Sequence, residues 1–172
     1  SGNSKNEFGI AAAGLFAVAA LFLANIGGYD LWPPDEPRFG QVPREMMQSG
    51  DYVVIRYHDD LRNKKPVAIH WMQSLTVSLA GGEQARAIAE YRLPSMLGAI
   101  LAAIAPFWGG SALFTRRAAF IGAVVIGTTL LLTTEANVAK TDAAQCGFLV
   151  LGMATLAHMR AGTGGKWHGV LF

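Results

Sequence analysis

Residues 8–28 form a run of 21 residues with no charged side chain, and Leu-Trp-Pro-Pro-Asp-Glu-Pro-Arg follows at 31–38. At about 1.5 Å rise per residue, the run measures about 30 Å as a helix, the thickness of a bilayer core. A water-soluble domain would have to surround such a helix on every side. Asp35 and Glu36 therefore stand just past the end of a membrane helix, in a stretch stiffened by three prolines. A carboxylate pair at a lipid surface costs solvation energy unless it is exposed, paired or used.

The same pattern recurs along the chain. Residues 93–114 and the shorter runs 118–134 and 143–159 also lack Asp, Glu, Lys and Arg. The chain is 52% hydrophobic and only 15% charged, against about 25% charged residues in soluble domains. The expected fold is an all-α membrane protein with about four transmembrane helices and the start of a fifth. The chain lacks an initiator Met and ends on Gly-Val-Leu-Phe, so it reads as the first part of a longer membrane protein. A net charge of +2, with no basic run longer than two residues, excludes nucleic acid as a partner. The single cysteine, Cys146, rules out an internal disulfide, and no zinc spacing occurs.

Between the first two spans lies a structured outer loop, 29–92. Its first part, 29–67, holds seven acidic and six basic residues. Residues 37–49 have helical spacing, with Phe39, Val42 and Met46 on one face and Gly50 as the stop. Pro43 should kink that helix or begin a new turn. Residues 52–57 are β-branched and aromatic, which predicts an extended segment. Residues 67–81 are apolar but too short to span, so they predict an interfacial helix. Kept out of the bilayer core, that helix leaves Lys5, Arg116, Arg117, Arg160 and Lys166 on one side. The positive-inside rule makes that side cytoplasmic. Asp35, Glu36, Lys64, Lys65, Lys140 and Asp142 then share the outer face.

Each of these residues has two readings. Asp35 suits a general base, since a carboxylate near an apolar surface is tuned toward working pH; it equally suits the N-cap of the 37–49 helix. Glu36 can orient a neighbour, bind a metal or satisfy the helix N-terminus. Lys64 and Lys65 can stabilise a departing phosphate, or snorkel at the interface. Arg56, Arg62 and Arg92 can add phosphate contacts, or be ordinary surface charges. Asp142 can pair with a basic residue and, with Lys140, support the site, or complement its helix dipole. His58 and His70 have no metal-site spacing. No metal or other cofactor is assigned; a divalent ion, were one present, would draw on Asp35, Glu36 and His70. Tyr57, Trp32 and Trp71 fit an aromatic interface belt.

The order Leu-Trp-Pro-Pro-Asp-Glu-Pro-Arg-Phe, Arg44-Glu45-Met46-Met47, Ser49-Gly50-Asp51-Tyr52, Lys65-Pro66 and Arg92-Leu93-Pro94-Ser95 resembles the N-terminal part of the C-type membrane glycosyltransferases. The nearest likeness is to the bacterial aminoarabinose transferase and protein O-mannosyltransferase group. The resemblance implies a multi-pass protein of the bacterial inner membrane with its active loop on the periplasmic side. It implies Asp35 as catalytic residue with Glu36 as companion, Lys65 as a phosphate contact, and Asp142 as a second acidic position. The donor would be a sugar on a polyprenyl phosphate, and the acceptor a lipid such as lipid A, a protein or a glycan. The family's Lys-Pro-Pro is Lys-Pro-Val here. The alternatives are a non-catalytic membrane module, as part of a transporter or a scaffold, and an inactive truncated fragment. A transporter would carry charges inside its spans, and these spans carry none.

Overall fold

A computed structural model describes residues 2–24, 26, 35–58, 60–61, 65–82 and 88–171. It is helical throughout, apart from one short hairpin. The elements are α1 (Gly2–Leu23), α2 (Asp35–Ser49), β1 (Arg56–Tyr57), β2 (Asp60–Leu61), α3 (Ala68–Leu79), α4 (Ile88–Leu113), α5 (Arg116–Gly127), α6 (Leu130–Ala136), α7 (Asp142–Arg160) and α8 (Lys166–Leu171).

The central helix is α4, which packs on α1, α3, α5, α6 and α7. Its inward positions are small: Ala99, Ala102, Ala103 and Ala105 are buried. Small residues let backbones approach, which is how helices associate where lipid removes the hydrophobic drive. The approach is closest against α7. A Cβ on Gly98 would lie 2.6 Å from the Ala143 carbonyl and also overlap Ala144. A Cβ on Gly147 would overlap Gly98, and one on Gly109 would lie 2.6 Å from Ala154 Cβ. Position 98 thus meets 144–147 and position 109 meets 154, so α4 and α7 run parallel. Their N-termini share one end of the molecule and their C-termini the other.

Helix α1 buries Leu15, Val18 and Phe22 and exposes Phe16, Leu21 and Leu23. Val18 and Phe22 join Met96, Ala99, Leu132 and Ala143 in the main core. Helices α5 and α7 turn Ile121, Val125, Phe148, Leu149 and Met153 outward. Apolar residues on an outer face suit helices surrounded by lipid or by further helices.

Among the described residues, α4 is the one helix both long and apolar enough to cross a membrane. The expected span at 118–134 is broken instead into α5 and α6, bent by 60°. The cause is local. Thr128 Oγ1 donates to the Val124 carbonyl at 2.8 Å and Thr129 Oγ1 to the Ile126 carbonyl at 2.9 Å. Thr129 is extended at φ −63°, ψ 136°. Threonine hydroxyls that take backbone carbonyls compete with helix continuation. Residues 143–159 form a helix, α7, that is not among those long and apolar enough to cross, and 93–114 appears as α4 beginning five residues earlier, at Ile88. Part of the first expected span, 8–28, lies outside the described residues.

The segment 35–81 follows its periodicity in both of its helices. Helix α2 buries Phe39, Val42 and Met46. It accommodates Pro43 without interruption and stops at Gly50, whose φ of 72° favours glycine. The extended stretch is shorter than predicted. Residues 52–54 form bends, and only Arg56–Tyr57 pairs, antiparallel, with Asp60–Leu61. Asp51 organises the bends: its Oδ1 accepts the N–H groups of Val53 (3.0 Å) and Val54 (3.1 Å). These bonds favour the carboxylate and hold its pKa below the ordinary aspartate value. Helix α3 is short, as its sequence predicts. Trp71 on α3 donates its indole N–H to the Tyr52 carbonyl at 2.6 Å and ties the bends to it.

Two predictions follow from these contacts. Gly98→Val should force α4 and α7 apart and destabilise the bundle by about 1–3 kcal/mol or more, the cost of overpacking a close contact. Thermal unfolding in detergent reads this, with Gly122→Val as control because nothing lies within 4 Å of a Cβ there. Asp51 has a lowered native pKa, so its contribution is complete above the unfolded value and is lost as pH falls through the native one. Amide exchange at Val53 and Val54 should quicken in Asp51→Ala at neutral pH, and in the parent only under acid.

Candidate functional site

The N-terminus of α2 is fixed by a buried ion pair. Arg92 is 1% exposed and Glu36 is fully buried. Arg92 Nε and Nη2 donate to Glu36 Oε1 and Oε2, both at 2.8 Å. Arg92 Nη1 donates to the Ile26 carbonyl at 3.0 Å. Glu36 Oε1 also accepts the Ala139 N–H at 2.7 Å. The fork of a guanidinium matches the two oxygens of a carboxylate, so both charges are satisfied away from water. Arg92, expected as either a phosphate contact or a surface charge, is neither exposed nor at the surface. The signal that could have found it is its place in the first turns of α4, beside buried Tyr91, Pro94 and Ser95. A charge held among those residues needs a carboxylate partner.

The turn between α6 and α7 is attached to the same point. Ser95 Oγ donates to the Lys140 carbonyl at 2.8 Å and accepts the Lys140 N–H at 3.3 Å. With the Ala139–Glu36 bond, this holds 139–142 against the start of α4. Lys140 and Asp142 are thereby fixed at this end of the bundle. Lys65 Nζ lies 4.0 Å from Asp142 Oδ1, with both side chains about half exposed. A pair that open is weak in itself, so it can exchange partners.

Beneath the pair runs an apolar groove of about 510 Å³ between α3 and α7. Pro66 and Thr141, the neighbours of Lys65 and Asp142, line its upper end; Ile69, Met72, Phe148 and Met153 line its length. Thr141 Oγ1 is buried there without a hydrogen-bond partner.

Asp35 opens α2, but its side chain lies outside the described residues, as do Arg62, Lys64 and Trp32. Arg56 lines a separate groove with Gln41, Glu45 and His58. His70 is buried and stacks on Phe39, with centroids 5.5 Å apart. Among the described residues no group of three His, Cys, Asp or Glu is placed to hold a metal ion.

Breaking the buried pair has a definite expected cost. Arg92→Met leaves Glu36 buried without its partner and should destabilise the protein by about 3–5 kcal/mol. Combining it with Glu36→Leu should recover most of that loss in detergent unfolding, because the uncompensated charge is gone.

No family model matches the chain, and no solved structure matches it. Curated proteins do. The undecaprenyl phosphate-alpha-4-amino-4-deoxy-L-arabinose arabinosyl transferase of Pectobacterium carotovorum is 34% identical over 119 residues, which is 69% of this chain and 21% of that protein. The transferase of the same name from Edwardsiella ictaluri is 30% identical over 163 residues, 87% of this chain and 29% of that protein. The one from Yersinia pestis is 31% identical over 126 residues, 73% of this chain and 22% of that protein. The chain thus spans less than a third of the length of these relatives. Over the segment it spans, the chain is similar to the aminoarabinose transferases that its motifs resemble.

Proposed function

We propose that this chain is the donor-side part of a membrane glycosyltransferase that moves a sugar from a polyprenyl phosphate to an acceptor hydroxyl or phosphate. The observation that carries the reading is the Lys65–Asp142 pair standing over an apolar groove. That arrangement has the shape of a lipid phosphate: a cation for the head and an apolar trench for the chain. The names of the relatives agree, since each describes an undecaprenyl phosphate-linked aminoarabinose donor. The corresponding donor here is a 4-amino-4-deoxy-arabinose carried on undecaprenyl phosphate.

The reaction is a single displacement. Asp35, at the first position of α2, takes the proton of the acceptor hydroxyl as its oxygen attacks the anomeric carbon. The bond from that carbon to the lipid phosphate breaks, and the phosphate leaves with the electron pair. Lys65 turns from Asp142 to the phosphate and stabilises its growing negative charge. Glu36 does no chemistry. It spends both oxygens on Arg92 and Ala139 and so positions the residue before it.

The reading also sets an orientation. Arg116, Arg117, Arg160 and Lys166 lie at the C-terminal end of α4 and α7, and Glu36, Glu90 and Asp142 at the opposite end. The positive-inside rule makes the cationic end cytoplasmic. The site then opens to the periplasm, in a multi-pass protein of the inner membrane.

The test uses the full-length protein in lipid with a labelled polyprenyl-phosphate sugar. Asp35→Asn should lower transfer by about 10²–10⁴-fold, the usual contribution of a general base, with unchanged thermal stability. Lys65→Met should weaken use of the donor. Wild-type transfer by Asp35→Asn would sink the assignment. Orientation has its own check: a cysteine at Ser49, an exposed position, should react with an impermeant reagent added from the periplasmic side.

A further inference from the structure

A second groove, of about 500 Å³, lies on the outer side of α2. One wall is a polar stripe on the helix. Gln41, Glu45, Gln48 and Ser49 are spaced i, i+4, i+7 and i+8, so they fall on one face. The other wall is the bend and strand at 54–58, which bring Val54, Arg56 and the turn residue His58 to the groove. The walls are clamped together by one carboxylate. Glu45 Oε1 accepts the Gln41 side-chain N–H at 2.9 Å and the His58 backbone N–H at 3.0 Å. The second bond holds His58 in its left-handed conformation, at φ 48°.

What the clamp leaves open defines the ligand. Among the described residues, Glu45 Oε2, the Gln48 carboxamide and the Arg56 guanidinium make no hydrogen bond or ion pair. Each is planar and offers paired donors or acceptors, the match for adjacent hydroxyls on a sugar ring. Glu45 and Asp51 both face the single cation Arg56, so the groove has no positive field to concentrate a simple anion. About ten residues of helix separate Glu45 from Asp35, a span of about 15 Å. A ligand bound here would not touch the reacting atoms.

We infer that this groove binds a neutral, hydroxyl-rich stretch of glycan, and that it holds a sugar of the acceptor while the acceptor's reactive group lies at the N-terminus of α2. The second half rests on the glycosyltransferase reading; the first does not. Arg56 belongs to this groove and not to the donor phosphate.

The experiment is saturation-transfer NMR on the full-length protein in nanodiscs, with N,N′-diacetylchitobiose as the probe and inorganic phosphate as competitor. The disaccharide should bind. Gln48→Ala and Arg56→Gln should each weaken it about five- to tenfold, the loss of one hydrogen bond, while Asp35→Asn should leave it unchanged. In turnover, Gln48→Ala should raise the KM for acceptor and leave the KM for donor alone. Equal binding by all variants, no binding by the parent, or displacement by an equal concentration of phosphate overturns the glycan site. If the disaccharide binds as expected and no sugar transfer occurs, the glycosyltransferase reading fails and the groove stands.

Discussion

The buried pair of Arg92 and Glu36 is the constraint on which this end of the bundle, where α4 and α7 begin, depends. Two charges with almost no exposure cost several kcal/mol each to desolvate, even in a protein interior. Their attraction offsets that cost because both lobes of the fork are used and the leftover capacity goes to the Ile26 carbonyl and the Ala139 N–H. Buried ion pairs are poor devices for stability. This one acts as a register device: it joins α2, α4, the segment after α1 and the turn before α7 at one point. Apolar residues of equal volume could fill that space, but they would not fix direction. A planar bidentate contact does, and α2 can therefore begin at only one place.

The rest of the molecule fixes the second coordinate, the height of the site along the bundle. Gly98, Gly147 and Gly109 let α4 and α7 approach until backbone meets backbone. A parallel pair in such contact cannot slide without a clash, so the N-terminus of α7 is held level with the first turns of α4. That places Asp142 beside Lys65, and the apolar groove between α3 and α7 directly below. Helix packing and ion pair are complementary: one sets the level of the site, the other its rotation.

Much of this was legible in the sequence, where the signal is local. Phe39, Val42 and Met46 are buried on α2 because their spacing already describes one helix face. The short apolar segment at 67–81 became the short helix α3 because its length excludes a span. Two features were not legible, for different reasons. The break between α5 and α6 depends on whether Thr128 and Thr129 direct their hydroxyls to backbone carbonyls or to solvent, and hydropathy treats both cases alike. The pairing of Arg92 joins positions 56 residues apart, and nothing near either residue names the other. The motif containing Arg92 was recognised, but its charge was read as exposed because most arginines are.

The position of the pair also shows how one of two adjacent carboxylates serves the fold. Residues 35 and 36 are the first two positions of α2. Glu36 points into the bundle and is consumed by structure. The backbone of position 35, one residue earlier in α2, is held by that anchor. An acidic pair at a helix start thus divides into an anchor and a residue the anchor positions. The anchor's geometry is rigid because it is buried, and its rigidity passes to its neighbour through a single peptide unit. On the proposed reading, with Asp35 as general base, that support matters, since small misplacements at the reacting atom cost orders of magnitude in rate.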